Sequence, residues 1–324
     1  MKFGYTQLTA EERYHIYTML GQEVSLRQIA KGMGRSHTSL SREIRRNKGD
    51  RGYRHKQAHR KAQARHKTKP KALKMTGELI VYVREKLKEY WSPEQISGRL
   101  LIEKKVSLCH ETIYQYVLRN KRNGGDLYRY LRHQLNPYRK RCGSKDYRGK
   151  IPDRVDISKR PDVVDNRSRV GDWEADLVMG KGHKGAIVTL AERRSRLYLA
   201  LPIARKTKEL TTTAITALLA SLKGFVQTIT YDNGREFSDH KAVSSQLDCK
   251  AFFARPYHSW ERGLNENSNG LLRQYFPKSM PLDSVSEEEV FAAANAMNHR
   301  PRKCLGYKTP WEVFTELTHI NAFV

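Results

Sequence analysis

The stretch that decides the fold of the second half of the chain is residues 170–179, which read Val-Gly-Asp-Trp-Glu-Ala-Asp-Leu-Val-Met. Its apolar and β-branched residues are typical of a strand, and similar runs recur after it. The predicted strands are 170–179, 186–191, 197–203, 226–231 and 249–254, and the predicted helices are 206–222 and 240–247. The order β-β-β-α-β-α-β-α, ending in a helix near residue 266, fits an α/β sheet with helices on its faces.

Three acidic residues stand out in this half of the chain. Asp176 lies in the middle of a strand, where an unpaired carboxylate is costly. Asp232 follows an apolar strand, at the edge where α/β sheets present ligand-binding groups. Glu266 shares one helical face with Asn269 and Arg273. Carboxylates from two strands and a helix suit two Mg²⁺ ions, which together stabilise an in-line phosphoryl displacement.

The spacing of these residues leaves alternatives open. Asp172 and Glu174 lie on the same strand face as Asp176, because side chains alternate with a period of two. Glu261 competes in the same way with Glu266. The Asp-Asn-Gly sequence after the fourth strand is also a good turn by itself. Spacing alone therefore predicts phosphoryl transfer without excluding structural roles for the carboxylates.

The charge of the chain is concentrated in its first half. The 324 residues contain 61 Lys and Arg against 34 Asp and Glu, a net charge of +27. Residues 1–160 hold 39 basic and 15 acidic residues, whereas residues 161–324 hold 22 and 19. A basic excess confined to one part of a protein indicates a polyanionic partner, because bound Lys and Arg release the counterions of nucleic acid. We therefore expect double-stranded DNA as the partner.

The composition also excludes several classes of protein. No run approaches the roughly 18 apolar residues that span a membrane, and the first residues lack the apolar core of a signal peptide. We therefore expect a cytoplasmic, nucleoid-associated protein without a membrane partner. The cysteines have no CxxC spacing, which argues against a zinc site and, in a reducing compartment, against disulfides. They are Cys109, Cys142, Cys249 and Cys304.

Residues 5–47 predict three short helices arranged as a helix-turn-helix. Capping boxes begin the first helix at Thr9 and the second at Ser25, and Ser36 can cap the third. Leu40 and Ile44 would face inward on the third helix, which leaves a polar and basic face for DNA. The candidate DNA-binding residues on that face are His37, Thr38, Ser39, Arg42, Arg45 and Arg46. A generic helical bundle is the alternative.

A second helical unit follows a strongly basic stretch. Residues 48–74 predict either a helix or arm that orders on DNA or a flexible linker. Ser92 caps a helix that starts with Pro at its first position. A second candidate recognition helix at 110–119 would bury Ile113 and Val117, with protein–protein packing as its alternative role. Its candidate DNA-binding residues are His110, Thr112, Gln115 and Arg119.

Longer motifs support a specific family. They include Ser-Trp-Glu-Arg-Gly at 259–263 and Asp-Asn-Gly-Arg-Glu-Phe at 232–237. The full set of matching stretches is 8–13, 35–36, 41–44, 171–177, 232–237, 256–263, 269–278, 298–302 and 309–310. By these motifs, which cover nearly the whole chain, the sequence resembles transposases of the bacterial insertion-sequence-thirty family.

The resemblance implies a fold and a mechanism. It implies a ribonuclease-H-like core with Asp176, Asp232 and Glu266 as a catalytic triad that holds two Mg²⁺ ions, with Mn²⁺ as a substitute. It implies binding to terminal inverted repeats, cleavage of the element ends and attack of the freed 3′-hydroxyl on target DNA by a homodimer or larger assembly. Asn269, Arg273 and Trp260 would contact DNA. Asp172 and Cys109 depart from the residues common in the family, which are His and Ser.

The predicted architecture is multidomain: an all-α tandem helix-turn-helix region precedes an α/β, ribonuclease-H-like core. We expect a first helix-turn-helix at 1–47, a basic linker at 48–75, a second helix-turn-helix at 76–136, an interdomain linker at 137–169, the catalytic core at 170–280 and a C-terminal helical region at 281–324. The predicted function is a Mg²⁺-dependent DNA transposase. The alternative is a non-catalytic DNA-binding regulator derived from a transposase.

Overall fold

The computed structural model describes residues 6–69, 75–132, 151–255 and 258–320, without the side chains of 259 and 260. The chain divides into two compact units, residues 1–74 and 75–324. Cys142 and the first part of the predicted interdomain linker lie outside the described residues. Trp260 belongs to a described turn, but its side chain is not described, so its predicted DNA contact stays a prediction.

The described residues form thirteen α-helices and five strands. The helices are α1 (Ala10–Gly21), α2 (Leu26–Gly32), α3 (His37–Asn47), α4 (His55–Thr68), α5 (Gly77–Lys88), α6 (Pro93–Lys104), α7 (His110–Arg122), α8 (Asp162–Asp165), α9 (Lys208–Leu219), α10 (His240–Leu247), α11 (Gly263–Leu272), α12 (Glu287–Asn298) and α13 (Pro310–Thr318). The strands are β1 (Asp172–Met179), β2 (Ala186–Glu192), β3 (Tyr198–Ile203), β4 (Thr228–Tyr231) and β5 (Lys250–Phe253).

The first unit contains the predicted helix-turn-helix. The hydroxyls of Thr9 and Ser25 accept hydrogen bonds from the third residues of α1 and α2, which confirms both capping boxes. Ser36 stands at the start of α3, but its hydroxyl contacts Thr38 at 2.8 Å and makes no bond to the helix backbone. A small core centred on Ile16, Ile29, Ala30 and Leu40 holds these helices together.

The basic stretch after α3 forms a helix. α4 packs on α1, with Ala58 fully buried and the ring of His55 edge-on to Tyr14. Arg13, a buried residue of α1, contacts His59 of α4 at 3.3 Å and donates to Glu43 of α3 at 2.7 Å. The segment contains few large apolar residues. A buried alanine, an aromatic contact and polar contacts therefore hold α4 on the other helices of the first unit.

Helices α5, α6 and α7 form a second helical core. The capping box of Ser92 with Gln95 starts α6, which buries Ile96 and Leu100. On α7, Ile113 and Val117 are buried, as the spacing predicted. One side of α6 packs on the C-terminal part of the chain. The Gln95 amide donates to the Pro301 carbonyl at 2.7 Å, and Arg99 donates to Glu312 at 2.8 Å.

A five-stranded mixed sheet forms the centre of the second unit. Its strand order is β3-β2-β1-β4-β5. β1, β2 and β3 pair antiparallel, and β4 and β5 are parallel to β1. The observed strand bounds lie within a few residues of the predicted ones, and the arrangement confirms an α/β sheet. Helices α9, α10 and α13 supply one apolar face, and α11 and α12 cover the other.

Two of the predicted segments outside the catalytic core pack against the sheet. Residues 151–169, expected to belong to a linker, bury Ile151, Ile157 and Val164, and Asp156 bridges to β5 beside Phe253. Each apolar residue stands alone among polar ones, so the segment has the sequence pattern of a linker although it packs on the domain. Residues of the predicted C-terminal region also join the core, because α12 packs on β3. The six-part division itself stays a prediction.

None of the described helices is long and apolar enough to cross a lipid bilayer.

Candidate active site

The register of the sheet brings two of the predicted carboxylates together. β4 runs parallel to β1, with Thr228 opposite Asp172 and Thr230 opposite Glu174. Extending this register by two residues places Asp232 beside Asp176, on strands about 5 Å apart. The two aspartates lie 56 positions apart in the sequence, and the pairing of parallel strands is what makes them neighbours.

Arg262 connects these two aspartates. Its Nη1 lies 3.5 Å from Oδ1 of Asp176, and its Nη2 lies 3.6 Å from Oδ2 of Asp232. Nη1 also donates to the carbonyl of Ala175 at 3.2 Å. The aspartates keep 20% and 26% of their side-chain surface exposed, so solvent reaches both carboxylates. One guanidinium is thus shared between two carboxylates at distances longer than those of a bidentate ion pair.

Burial changes the acidity of Asp176. Burial, opposed by the charge of Arg262 and assisted by that of Asp232, raises the pKa of this carboxyl to about 6. The Asn269 amide donates to Oδ2 of Asp176 at 2.8 Å, and the Leu177 amide donates to Oδ1 at 3.0 Å. A carboxylate with a raised pKa in a cleft is a recurrent property of functional sites, because desolvation favours binding of a positive charge.

The turn that follows β4 fixes Asp232. Its Oδ1 accepts a hydrogen bond from the Gly234 amide at 2.7 Å, and the Asn233 amide donates to the Ala254 carbonyl at 2.6 Å. Gly234 is packed against the Glu236 carboxyl so closely that an added Cβ would lie 2.3 Å from it. The Asp-Asn-Gly sequence is therefore a structured turn that also holds its aspartate next to β1.

Glu266 lies on α11, which runs along β1. Arg262 and Asn269 of this segment contact Asp176, and Arg273 donates to the Met179 carbonyl at 2.7 Å. Glu266 is exposed and lies four residues after Arg262 and three before Asn269, on the same helical face. The described residues contain no group of three or more His, Cys, Asp or Glu placed to hold a metal ion. The structure thus pairs Asp176 with Asp232 and leaves Glu266 outside that cluster.

The competing carboxylates of β1 are buried and neutralised. Asp172 accepts hydrogen bonds from Arg169 at 3.0 Å and from the Thr228 hydroxyl at 2.8 Å. Glu174 pairs with Arg193 and accepts from the Asn265 amide at 3.2 Å. Both carboxylates are fully buried and fully satisfied, so they connect β1 to its neighbours and have no oxygen open to a ligand.

The competing carboxylate near α11 is also engaged. Glu261 accepts bonds from the Arg255 backbone amide at 2.8 Å and from its guanidinium at 2.7 Å. This pair closes the loop between β5 and α11. Of the two glutamates that the sequence offered here, Glu266 is the exposed one.

Two predicted DNA contacts have protein partners. The Asn269 carbonyl accepts hydrogen bonds from the Tyr198 hydroxyl at 2.7 Å and from Thr189 at 3.2 Å, and its amide donates to Asp176. Arg273 donates to two main-chain carbonyls, and burial lowers its pKa. These bonds position Asp176 and α11, and DNA contact by Asn269 or Arg273 stays a prediction.

The proposed recognition faces of α3 and α7 point away from their own cores. On α3, His37, Thr38, Arg42, Arg45 and Arg46 are exposed and Ser39 is half-buried. On α7, His110, Gln115 and Arg119 are exposed and Thr112 is half-buried. Gln115 donates a hydrogen bond to Glu111 at 2.7 Å, so this candidate DNA contact has a protein partner.

Comparison with known proteins agrees with these features. Residues 4–47 match a helix-turn-helix domain, and residues 167–259 match an integrase core domain. The chain is 41% identical over 318 residues to the transposase for insertion sequence element IS4351 of Bacteroides fragilis, covering 97% of each protein. It is 35% identical over 323 residues to transposase InsI for insertion sequence element IS30A of Escherichia coli, covering 96% of this chain and 84% of that protein.

The chain belongs to the IS30 family of transposases. Its family assignment confirms the resemblance drawn from the motifs, and the two domain matches confirm the helix-turn-helix and the integrase-type, ribonuclease-H-like core. The catalytic core of BIV integrase is also similar, at a TM-score of 0.38 and 22% identity, over 46% of this chain and 97% of that one. An integrase core in an IS30-family chain indicates a polynucleotidyl transferase.

Sequence reasoning missed the role of Arg262. The residue lies in the motif that includes Glu261, and its spacing of four from Glu266 signals a shared helical face. What the spacing does not reveal is that this face lies over both aspartates. Arg193 was missed as well, because its contact with Glu174 also depends on tertiary packing that the sequence does not show.

Proposed function

We propose that this protein is a DNA transposase that binds the terminal inverted repeats of its element, cleaves the element ends and joins the freed 3′-hydroxyl to target DNA. The observation that carries the proposal is the convergence of Asp176 and Asp232, partly exposed and shared by one arginine, among neighbouring carboxylates that are fully neutralised. Its family membership supports the same chemistry.

The donor set fits a divalent cation. Asp176 and Asp232 present hard oxygen ligands, and a positive group, the Arg262 guanidinium, already lies between them. Asp176 and Asp232 would hold Mg²⁺ or Mn²⁺, and Glu266 would complete a two-ion site from α11. A bound divalent cation stabilises the charge that develops on the phosphoryl oxygens during in-line displacement.

The protein residues around the pair have positioning roles. Asn269 holds Asp176 through its amide while Tyr198 and Thr189 hold Asn269. Asp232 is fixed by its own turn. Arg262 offsets part of the negative charge of the two aspartates, and its guanidinium would also suit a DNA phosphate.

We infer that the exposed face of α3 reads the inverted repeats and that α7 extends the interface. Helix-turn-helix units place their second helix in the major groove, and the face of α3 presents several arginines to it. Arg42→Ala with Arg46→Ala should lower the slope of log affinity against log salt by about 0.9 for each phosphate that the variant no longer neutralises. An unchanged slope would remove α3 from the interface.

We also infer that two or more copies act together on DNA, because the two ends of one element must be joined in a coordinated way. A non-catalytic regulator remains the second candidate, since the contact of Arg262 with both aspartates is what a permanently neutralised site would show. The transposase and the regulator differ in one property: in the transposase a divalent cation can bind to Asp176 and Asp232 in spite of Arg262, and in the regulator it cannot.

One assay separates these functions. Purified protein is incubated with Mg²⁺, labelled duplex that carries the inverted repeat, and unlabelled target DNA. A transposase yields cleaved ends and strand-transfer products, whereas a regulator only retards the duplex in a gel. Cleavage that yields no strand-transfer product with any target DNA tested would indicate a nuclease and would contradict the proposal.

A further inference from the structure

Two arginine-lined cavities flank Arg167 near the start of α11, and they differ in charge balance. The larger, of about 350 Å³, is also lined by Asp165, Glu174 and Glu261. Each of its other arginines has a carboxylate partner, in the pairs Arg160–Asp165, Arg193–Glu174 and Arg255–Glu261. Apart from Arg167, the arginines of this cavity are therefore paired within it, and these ion pairs have a structural role.

The smaller cavity, of about 240 Å³, is not neutralised. Arg167, Arg196 and Arg302 line it, together with Asn267 and Ser268 of α11. Within the described part of the chain, its lining contains no Asp or Glu. The buried Nε of Arg196 has no hydrogen-bond partner among the described atoms. Three guanidinium groups therefore surround one space that offers them no counter-ion.

The electrostatics of the cluster reflect this crowding. Burial, opposed by Cys304 and assisted by the charges of Arg132 and Arg196, lowers the pKa of Arg302 to about 10. Burial and then the charge of Arg196 lower the pKa of Arg167. Like charges held close together in a partly desolvated site favour the binding of an anion, since the anion relieves their repulsion.

Further donors extend the cluster to the surface. Arg132 donates to the Asn267 carbonyl at 3.0 Å and brings a fourth guanidinium to the rim of the cavity. Asn267 and Arg167 are exposed, so the cavity opens to solvent. The one carboxylate whose charge acts on Arg167, Glu174, is already paired with Arg193. A ligand with a negative charge and several acceptor oxygens would satisfy these donors.

The position of the cavity indicates which phosphate could reach it. Residues 263, 267 and 268 of α11 line the cavity, whereas Asn269 lies on the face of α11 toward β1, where its amide donates to Asp176. The two sites are therefore separated by the width of a helix, about 10 Å. Along the axis of a DNA duplex, that distance corresponds to about three base-pair steps, at roughly 3.4 Å each.

We propose that the cavity lined by Arg167, Arg196 and Arg302 binds a backbone phosphodiester of DNA that flanks the scissile bond. The inference rests on the proposed function, because it assumes that DNA crosses α11 to reach Asp176 and Asp232. It gives a role to Arg302 of the C-terminal motif at 298–302, which belongs neither to the metal site nor to the recognition helices.

The test measures DNA binding without catalysis. Wild type and Arg167→Gln/Arg302→Gln are titrated with fluorescent end duplex in EDTA over a range of salt concentrations. The double variant should bind roughly tenfold more weakly, and the slope of log affinity against log salt should fall by about 0.9, the value for one phosphate released from the interface. Arg205→Gln, which removes one exposed arginine of the same domain, is the control and should keep the wild-type slope.

Two further readings keep the test decisive. The thermal midpoint of the double variant should equal or exceed that of wild type, because like-charge repulsion has been removed; if the double variant fails to fold, Arg167→Gln alone carries the measurement. A wild-type slope in a folded variant would overturn the proposal. The proposal would also be overturned if millimolar inorganic phosphate stabilised the wild type while the double variant kept the wild-type slope of log DNA affinity against log salt. The cavity would then bind a small anion and not DNA. Because no cleavage is measured, failure of the proposed function would show separately.

Discussion

Strand β1 holds carboxylates in two different states. At its start, Asp172 and Glu174 are fully buried, and arginine, hydroxyl and amide donors satisfy them at close range. Two residues further along, Asp176 keeps part of its surface exposed and shares Arg262 with Asp232 at 3.5 and 3.6 Å. All three acidic side chains lie on the same face of the strand. The degree of neutralisation separates a carboxylate that holds the fold together from one that is available to a ligand.

The largest effect should come from removing a ligand of the available pair. Asp232→Asn keeps the oxygen that accepts from Gly234 but loses the charge, and we expect cleavage of end DNA to fall roughly 10³-fold or more. End binding, measured in a gel-shift assay, should be unchanged. Glu261→Gln, a carboxylate tied to Arg255, is the matched control and should keep most of the activity. Equal cleavage rates for Asp232→Asn and wild type would break the comparison.

Much of the fold in both units was predictable, for local reasons. The capping boxes at Thr9 and Ser25 and the apolar runs of the strands depend on nearby residues, so the sequence reveals them directly. Spacing alone left Asp172, Glu174 and Asp176 equivalent. The arginines that contact Glu174 and Asp176 are distant in the sequence, so the spacing does not show which carboxylate is closely paired.

The parts that were not predictable depend on tertiary packing. The burial of Ile157 and Val164 comes from isolated apolar residues in a polar segment, which carries no periodic signal. The contact of Arg262 with both aspartates requires the parallel register of β1 and β4 together with the path of α11. The family motifs predicted Glu266 as the third carboxylate, but they do not show how far its side chain lies from the aspartates.

The second largest effect should be on stability, at the neutralised end of β1. Arg193→Gln leaves Glu174 buried without its ion partner, and we expect a loss of about 3–5 kcal/mol in the free energy of unfolding. Arg262→Gln removes longer contacts to partly exposed carboxylates and should cost about 1 kcal/mol or less. Chemical denaturation of the two variants measures both values. If Arg262→Gln lost more free energy of unfolding than Arg193→Gln, Asp176 and Asp232 would be the structural carboxylates and Glu174 would not.

A smaller effect should appear in the pH dependence of Asp176. Its folded pKa, about 6, lies above the ordinary value of 3.8, so the ionised carboxylate destabilises the fold. Asp176→Asn should therefore match wild type near pH 4 and exceed it increasingly as the pH rises through 6, by on the order of 2 kcal/mol at pH 7 and above. Unfolding midpoints at several pH values in EDTA measure this difference. A variant that is less stable than wild type at pH 7 would show that Asp176 is a structural carboxylate like Glu174.

The most direct measurement is a calorimetric titration of Mn²⁺ into wild type, Asp176→Asn/Asp232→Asn and Glu261→Gln. We expect saturable binding in wild type and Glu261→Gln and its loss in the double variant, because the two aspartates supply the oxygen ligands and a divalent cation displaces Arg262. Equal binding by wild type and the double variant, or no binding by wild type with end DNA present, would contradict the assignment of Asp176 and Asp232 as the catalytic metal site.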